Sequence, residues 1–328
     1  MKIAVIGATG FIGHRLCEMC IARGDTVHAL ARAPKSGESL AERGVSVIYG
    51  NLTNEESLCR VCSGADIVFN LAGALGKWRK SLEEMEIVNS TAAGLVVHWA
   101  AKAGASKVVH ASTAGVSGPL PDGYVGCETD EPNPASDYQK TKLAGESTAL
   151  DKHRLTGIPL TIARPSFVYG PTDTHKLSLF RTVAARRMVL VNGGTSRLHP
   201  VFVDDLIRGL LLIGERAPGN GEVYILAGER PAATRDLVRT IASSLSVSPP
   251  KISLPEGLLL SLAGIAEVVG RVAGKEPPLT CSKVRLLSEN YAYSIDKAKS
   301  ELGFTPEIGL SEGITQTIEW YRANRLIG

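Results

Sequence analysis

The chain opens with a glycine-rich turn between an apolar segment and a helix-like segment. In VIGATGFIG, residues 5–13, Gly7, Gly10 and Gly13 recur every third residue after the apolar start KIAVI. Glycines at such positions permit a tight turn, close approach of a pyrophosphate and close packing of a helix on a strand. The amide groups of the following helix N-terminus favour the phosphate charge. This feature predicts a strand, a phosphate-binding turn and a helix at the start of the fold.

Apolar segments and helical patterns then alternate along the first half of the chain. Strands are predicted at 26–32, 45–52, 66–73, 107–113 and 160–170, with helices at about 85–103 and 137–156 among those between them. This alternation predicts an α/β fold with a doubly wound parallel (Rossmann) sheet and right-handed crossovers.

The chain after Pro171 is less regular and richer in Pro and Gly. It predicts a smaller C-terminal substrate lobe with strands such as EVYILAG (222–228) and KISLP (251–255). We therefore divide the chain into a nucleotide-binding domain at 1–170 and a lobe at 171–328. The segments 200–214 and 291–303 are expected to return to the main domain.

Charge and hydropathy narrow the range of partners. The 36 basic and 33 acidic residues leave a net charge of +3, so nothing favours nucleic acid. The N-terminus lacks the pattern of a signal peptide, and we expect a cytoplasmic protein. The apolar segment 257–274 is interrupted by Glu267 and Arg271 and is shorter than a typical membrane span of about 20 residues. We interpret it as a buried or lid helix, and surface contact with a membrane is the less favoured alternative.

Four of the six cysteines form two CxxC pairs, Cys17/Cys20 and Cys59/Cys62. This spacing occurs in zinc sites. Both pairs, however, lie in helical patterns, where cysteines three apart serve as small apolar core residues. We predict core positions and no metal site.

The segment SDYQKTK, residues 136–142, places Tyr138 four residues before Lys142. On a helix, residues four apart lie on the same face. A nearby ammonium group favours a phenolate and lowers the pKa of a tyrosine from about 10. Such a tyrosine can donate and accept a proton near neutral pH. The alternative is an ordinary exposed helix that carries both residues by chance.

With these motifs and others in order, the chain resembles the extended short-chain dehydrogenase/reductase family nearly end to end. GATGFIG (7–13) is similar to its dinucleotide turn, GNLTN (50–54) to the segment beside the adenine, and NLAG (70–73) to a cofactor-lining stretch. STAGVSG (112–118) and the Y-x-x-x-K spacing of Tyr138 and Lys142 are similar to its catalytic motifs. VNSTAAG (88–94), RPSFVYGP (164–171), VFVDDL (201–206) and YSIDKAKSELGFTP (293–306) match further markers.

The resemblance implies a role for each of three catalytic residues, Thr113, Tyr138 and Lys142. Tyr138 would exchange the proton of a substrate hydroxyl, Lys142 would lower the tyrosine pKa and hold the nicotinamide ribose, and Thr113 would orient the same oxygen. A hydride would pass between the substrate carbon and the nicotinamide. The implied cofactor-binding residues are Gly7, Thr9, Gly10, Phe11, Ile12, Gly13, Arg32, Lys35, Asn51, Leu52, Leu71, Ala72, Gly73, Asn89, Tyr138, Lys142, Pro165 and Val168. The candidate substrate residues are Ser112, Arg197, His199 and Arg285.

The end of the second predicted strand bears on the choice of cofactor. NAD enzymes usually carry an acidic residue there to hold the ribose hydroxyls. This chain has Ala31 at that position, followed by Arg32 and then Lys35, and Asn51 replaces the usual Asp beside the adenine. Because a guanidinium suits a 2′-phosphate, NADP(H) is favoured over NAD(H).

Two positions bear on the reaction class. Sugar-nucleotide dehydratases place Asp-Glu directly after the catalytic Thr, where this chain has Ala114 and Gly115. Many epimerases carry a diphosphate-binding Arg at the place of Leu198, one residue after Arg197. The segments 197–212 and 257–274 are more similar to the branch that contains 3β-hydroxysteroid dehydrogenases and dihydroflavonol reductases.

Three functions therefore remain open. The first is an NAD(P)-dependent oxidoreductase acting on a secondary alcohol or ketone of a bulky small-molecule substrate. The second is a sugar-nucleotide epimerase that oxidises its substrate transiently with bound cofactor. The third is a nucleotide-binding protein without catalysis, against which the retained catalytic residues argue. Assembly as a homodimer is left open.

Overall fold

The structure is a computed structural model that describes residues 1–76 and 81–328. The strands of these residues are, in chain order, β1 (Lys2–Ile6), β2 (Thr26–Ala31), β3 (Ser46–Tyr49), β4 (Ile67–Asn70), β5 (Val108–Ala111), β6 (Leu160–Pro165), β7 (Phe167–Tyr169), β8 (Leu190–Val191), β9 (Arg197–Leu198), β10 (Pro200–Phe202), β11 (Asn220–Leu226), β12 (Ala232–Ala233) and β13 (Ser253–Leu254).

The helices are α1 (Phe11–Ala22), α2 (Pro34–Ala41), α3 (Glu55–Cys62), α4 (Leu82–Glu86), α5 (Ala92–Lys102), α6 (Asp137–Thr156), α7 (Leu177–Ala184), α8 (Val203–Arg216), α9 (Thr234–Ser244), α10 (Glu256–Ala273), α11 (Cys281–Ser288) and α12 (Leu310–Ala323). A π-helical turn at Ile87–Thr91 joins α4 to α5, so the helix predicted at 85–103 is present with one widened turn. Helix α6 has the predicted bounds.

Seven strands form a parallel central sheet in the order β11-β6-β5-β4-β1-β2-β3. Strand β1 lies between β2 and β4, with Ile6 paired to Leu30 on one side and Asn70 on the other. The chain therefore reverses its winding direction at β1, which confirms the doubly wound fold. In such sheets ligands bind at the carboxyl ends of the strands beside this switch point.

The core lies on both faces of the sheet. Along β1, Ile3 and Val5 join one apolar cluster, whereas Ala4 and Ile6 join another. Helices α1 and α8 cover the first face, and α3, α5 and α6 cover the second. The cysteines at 17, 20 and 62 are fully buried in these helices, which confirms their interpretation as core residues; Cys59 is partly exposed.

Two predicted strands occupy different places from those expected. The segment 222–228 was assigned to the smaller lobe, but β11 pairs with β6, with Val223 opposite Ile162, and forms an edge of the central sheet. The predicted strand 160–170 divides at Ser166, and β7 leaves the sheet to pair with β10. An apolar pattern identifies a strand but does not identify its partner. The boundaries of the two lobes stay a prediction.

Helix α10 was predicted to be a buried or a lid helix, and the structure contradicts the buried alternative. It buries Leu259 and Ala263 towards α11 and Gly270 against Lys275 and Pro277, while most of its large apolar side chains are exposed. Over the described residues, no helix combines the length and the apolar character that crossing a bilayer requires.

Candidate active site

The glycine-rich turn packs directly against the loop that follows β4. Gly7 has a φ of +86°, and a Cβ atom there would lie 2.7 Å from the amide nitrogen of Ala72. A Cβ atom on Gly13 would lie 2.2 Å from the carbonyl oxygen of Gly7. Side chains at these two positions would collide with backbone, so both require glycine. The turn is thereby held beside Leu71 and Ala72 at the switch point.

The N-terminus of α1 is open to an anionic ligand. Its N-cap, Gly10, provides no side-chain hydrogen bond, and the first turn carries no acidic residue. Thr9 and Gly10 are exposed, and Phe11 and Ile12 are partly exposed. The amide groups of this turn and the positive end of the helix dipole suit a phosphate group. These residues fit the pyrophosphate of a dinucleotide, and their contact with it stays a prediction.

The carboxyl ends of β2 and β3 lie at the same edge of the sheet as the glycine turn. Arg32 and Lys35 are exposed directly after β2, and α2 starts at Pro34 without a side-chain cap. After β3, Asn51 Oδ1 accepts hydrogen bonds from the Thr53 amide at 2.9 Å and hydroxyl at 2.8 Å, and Leu52 is half-buried. The residues predicted to contact the adenine and the ribose therefore lie together at the carboxyl edge of the sheet.

The start of α6 is fixed by a capping box. The Ser136 hydroxyl accepts from the Gln139 amide at 3.3 Å, and Gln139 Oε1 accepts from the Ser136 amide at 3.1 Å. The helix that follows places Tyr138 and Lys142 on one face. Lys142 Nζ donates to the carbonyl oxygen of Ala111 at the end of β5, at 2.5 Å. The lysine thus reaches the carboxyl edge of the sheet.

Thr113 stands two residues beyond the end of β5. It caps a short 3-10 helix at Ala114–Ser117, and its Oγ1 accepts from the amide of Gly115 at 3.2 Å. Gly115 lies against the Gln139 side chain, since a Cβ atom there would be 3.1 Å from Nε2. This contact joins the turn after β5 to the start of α6. The turn that carries Thr113 therefore lies against the start of α6, the helix that carries Tyr138 and Lys142.

The electrostatics of this group differ from the expectation. Burial raises the pKa of Tyr138 to about 12. Burial also lowers the pKa of Lys142 to about 8, and the carboxylate of Glu146 opposes that shift. The predicted lowering of the tyrosine pKa by the lysine was wrong for this geometry. The reason is that the ammonium group turns to the Ala111 carbonyl, while desolvation disfavours the phenolate.

Asn89 supports the site from the π-helical turn. Its Oδ1 accepts from the Ala74 amide at 2.7 Å, and its Nδ2 donates to the Ala74 carbonyl at 3.0 Å and to Thr141 Oγ1 at 2.9 Å. It is fully buried. The side chain therefore ties the loop after β4 to α6, and Gly73 lies in the same loop. This geometry describes a positioning residue more closely than the predicted cofactor contact. Widened turns of this kind often occur at functional sites.

Three buried residues near Lys142 were not among the predicted site residues. His110 Nδ1 lies 3.1 Å from Asn70 Nδ2, and burial together with Lys142 lowers the pKa of His110 well below its usual value. Glu146 and Arg164 form a two-pronged ion pair at 2.9 and 2.7 Å. Two features of the sequence could have indicated this ion pair. Glu146 follows Tyr138 and Lys142 at the same spacing of four, and Arg164 is a charged residue within the otherwise apolar segment of β6.

The candidate substrate residues are not all gathered at the cleft. His199 is buried, with Nε2 2.8 Å from the Gly228 carbonyl and Nδ1 accepting from the Tyr293 amide, and burial lowers its pKa to about 4. Both ring nitrogens are hydrogen-bonded to backbone groups, which argues against the predicted contact of His199 with substrate. Ser112 is also buried, and no partner for its hydroxyl is found within 1–76 and 81–328.

The two arginines predicted to contact substrate flank a C-terminal segment at the rim of the site. The Arg197 carbonyl accepts from the Tyr291 amide at 2.7 Å, and the exposed Arg285 acts electrostatically on Tyr291. The Tyr291 hydroxyl donates to Glu289 Oε2 at 2.7 Å, and the side chain of Gln139, the residue after Tyr138, acts electrostatically on the Tyr291 hydroxyl. Tyr291 is a further rim residue that the sequence did not indicate. Pro165 and Val168 are buried where β6 passes into β7.

Residues 3–227 match the sequence profile of a family described as the NAD dependent epimerase/dehydratase family. The chain belongs to this family. Its members are NAD-dependent enzymes, and this family member is therefore an enzyme of the extended short-chain dehydrogenase/reductase type.

Two relatives of this family member are similar over nearly their whole length. The 4-hydroxy-2-methyl-3-oxo-4-farnesyl-3,4-dihydroquinoline-1-oxide ketoreductase of Stigmatella aurantiaca is 28% identical, with 96% of this chain and 95% of the relative covered. The ceramide reductase of Caulobacter vibrioides is 28% identical, with 98% and 94% covered. The crystal structure of UDP-glucuronic acid 4-epimerase from Bacillus cereus with NAD has a TM-score of 0.78 at 24% identity and full coverage of both chains, which shows the shared fold.

Proposed function

We propose that this family member is an NAD(P)-dependent oxidoreductase that transfers a hydride at a secondary alcohol or ketone of a bulky, lipophilic molecule. The observation that supports this proposal is that the turn carrying Thr113 lies, just beyond the end of β5, against the start of α6, which carries Tyr138 and Lys142. This edge also holds the glycine turn and the uncapped start of α1. A cofactor lying along it would bring its nicotinamide towards the three side chains.

The side chains of the protein would transfer the proton between Tyr138 and the substrate oxygen. The Tyr138 hydroxyl donates its proton to a substrate ketone oxygen, or takes one from a substrate alcohol. Thr113 donates a second hydrogen bond to the same oxygen and orients it. Lys142, which reaches the carboxyl edge of the sheet through its hydrogen bond to the Ala111 carbonyl, would hold the nicotinamide ribose of a bound dinucleotide. The dinucleotide, when bound, supplies or accepts the hydride.

The cofactor that we propose is NADP(H) in preference to NAD(H). Arg32 and Lys35 support this choice, because both are exposed at the end of β2 beside the uncapped start of α2. A 2′-phosphate would receive two cations and the positive end of a helix there.

Two observations support the proposal of a lipophilic substrate: the substrates named for two similar proteins, and the burial of Leu198. The similar proteins include a ketoreductase for a farnesyl-bearing quinoline oxide and a ceramide reductase. Leu198, at the place where many epimerases carry an arginine for the diphosphate, is buried and cannot hold an anion. We further propose that the lobe after residue 171 covers the substrate, with Tyr291 at its rim.

A sugar-nucleotide epimerase is the second candidate. The exposed Arg285 and the half-buried Arg197 flank Tyr291, where a diphosphate could pair with them. The third function that the sequence left open, a nucleotide-binding protein without catalysis, does not agree with membership of a family of NAD-dependent enzymes.

The test is to incubate the purified protein with NADPH or NADH and a panel of 3-oxosteroids, long-chain ketones, UDP-sugars and GDP-sugars. Consumption of added NADPH with a lipophilic ketone is expected. Conversion of a sugar nucleotide with no net change of cofactor absorbance would instead support the epimerase. Cofactor binding without turnover of any panel member would contradict both enzymatic candidates.

A further inference from the structure

Helix α10 presents a continuous apolar face to solvent. Six large side chains on it are between 45% and 88% exposed: Leu258, Leu262, Ile265, Val268, Val269 and Val272. Exposed apolar residues that stand singly need no explanation, whereas contiguous ones mark a binding surface. We call these six residues the outer face of α10.

The outer face is broad and free of charge. At 100° per residue its side chains cover an arc of roughly 120°, and they extend for about 21 Å along the helix. Among the described residues of α10, the exposed positions from Gly257 to Val269 carry no charged side chain. A coiled-coil partner needs only a narrow seam of apolar residues. The breadth of the face favours an extended apolar medium over a single helix.

The charged side chains of this region are arranged to suit anionic headgroups. Both acidic residues of α10 turn inward: Glu267 accepts from the Cys281 amide at 2.9 Å, and Glu256 accepts from the Ser288 hydroxyl at 2.9 Å. Arg271 and Lys275 are exposed at the C-terminal end of the helix, and the exposed Glu276 that follows pairs with Lys283 at 3.0 Å. An apolar face with basic residues at its border is the pattern of a helix that lies in a membrane interface.

The helix is also joined to the rim of the active site. Helix α11 packs beside α10 and ends at Ser288, and Asn290 and Tyr291 follow. The Asn290 carbonyl accepts from the Leu120 amide at 2.9 Å, and Tyr291 contacts Gln139. A surface held against α10 would therefore lie close to the proposed substrate entrance.

From these observations we infer that the outer face of α10 docks on the surface of a phospholipid bilayer. The helix lies in the interface without crossing it. A lipophilic substrate dissolved in the bilayer then enters the cleft past α11 and Tyr291. The docking follows from the face itself, whereas the delivery of substrate rests on the proposed function. This inference replaces the expectation that membrane contact is the less favoured alternative.

The experiment is flotation of the full-length protein with vesicles of phosphatidylcholine, alone or mixed with phosphatidylglycerol. Wild type is expected to float with the vesicles, and to a greater extent with the anionic mixture. Ile265→Glu/Val269→Glu should lower the bound fraction at least about tenfold, because two charges would enter the apolar layer. The matched control is Leu155→Glu, a similar change at a 72% exposed leucine on α6, which should float like wild type.

Three results would overturn the inference: no flotation of wild type, equal flotation of the double variant, or a wild-type dimer that the double variant converts to a monomer in light scattering. The last result would show that a second copy covers the face. Turnover of a short, water-soluble ketone without vesicles tests the proposed function separately. Flotation without any turnover would leave the docking intact and remove only the delivery of substrate.

Discussion

At the scale of single residues, the Tyr138 hydroxyl is the proton donor on which the proposed chemistry depends. Its pKa of about 12 keeps it protonated at neutral pH, which suits reduction of a ketone. Tyr138→Phe should lower kcat about 10² to 10⁴-fold and leave cofactor affinity nearly unchanged, because phenylalanine keeps the ring and removes only the hydroxyl. Steady-state rates with the active ketone and a fluorescence titration of NADPH would measure the two effects. Retention of more than about a tenth of the rate would show that another group donates the proton.

A second prediction at this scale concerns Arg32. If its guanidinium meets a 2′-phosphate, Arg32→Ala should weaken NADPH binding roughly 10- to 100-fold and leave NADH binding almost unchanged. Titration of both reduced cofactors by fluorescence would measure this. The matched control is Arg154→Ala, which removes an exposed arginine at the far end of α6. Equal or tighter binding of NADH by wild type would refute the proposed cofactor preference.

At the scale of elements, the ion pair between Glu146 and Arg164 joins α6 to β6. Both side chains are 5% exposed, so the loss of one partner leaves the other as an unpaired buried charge. Glu146→Ala should reduce the free energy of unfolding by about 3 to 5 kcal/mol. The double variant Glu146→Ala/Arg164→Met should recover part of that loss. Urea denaturation of the single and double variants measures both values. Strictly additive losses would show that the two residues do not interact.

The elements also show which features sequence could predict. The glycine turn and helix α6 were predictable because each depends on local spacing that the fold preserves. The partner of β11 was not, since alternation specifies which residues are buried and not which strand lies alongside. The exposure of α10 was not predicted for a related reason, because an apolar helix has the same sequence pattern whether its apolar side chains face the core or solvent. The orientation of the Lys142 ammonium depends on the Ala111 carbonyl, which no motif encodes.

At the scale of the whole molecule, two buried histidines couple stability to pH. Burial lowers the pKa of His199 to about 4 and that of His110 well below its usual value, whereas an unfolded histidine titrates near 6.5. The unfolded chain therefore takes up protons first as pH falls. The stability that the neutral histidines provide is complete above pH of about 6.5 and is lost as pH falls towards the folded pKa values.

The expected loss between pH 6 and pH 5 is about 1 kcal/mol for each histidine. Carboxylates titrate in the same range, so the informative quantity is the difference between wild type and His199→Gln. The variant should lose about 1 kcal/mol less stability over this interval, although it starts from a lower value. Guanidinium denaturation at both pH values measures this difference. Identical pH dependence in the two proteins would show that His199 protonates as readily in the folded state as in the unfolded one.

The late arrival of β11 at the edge of the central sheet has a consequence for biosynthesis. Strand β6 ends at Pro165, and the strand that covers its free side begins only at Asn220. At translation rates of about 5 to 20 residues per second, roughly 3 to 11 seconds separate the two on the ribosome. During that interval a nascent chain that has formed its first six strands carries an open edge, which can pair with other chains. The growing polypeptide therefore passes through a stage at which it depends on rapid completion, or on a chaperone, to avoid aggregation.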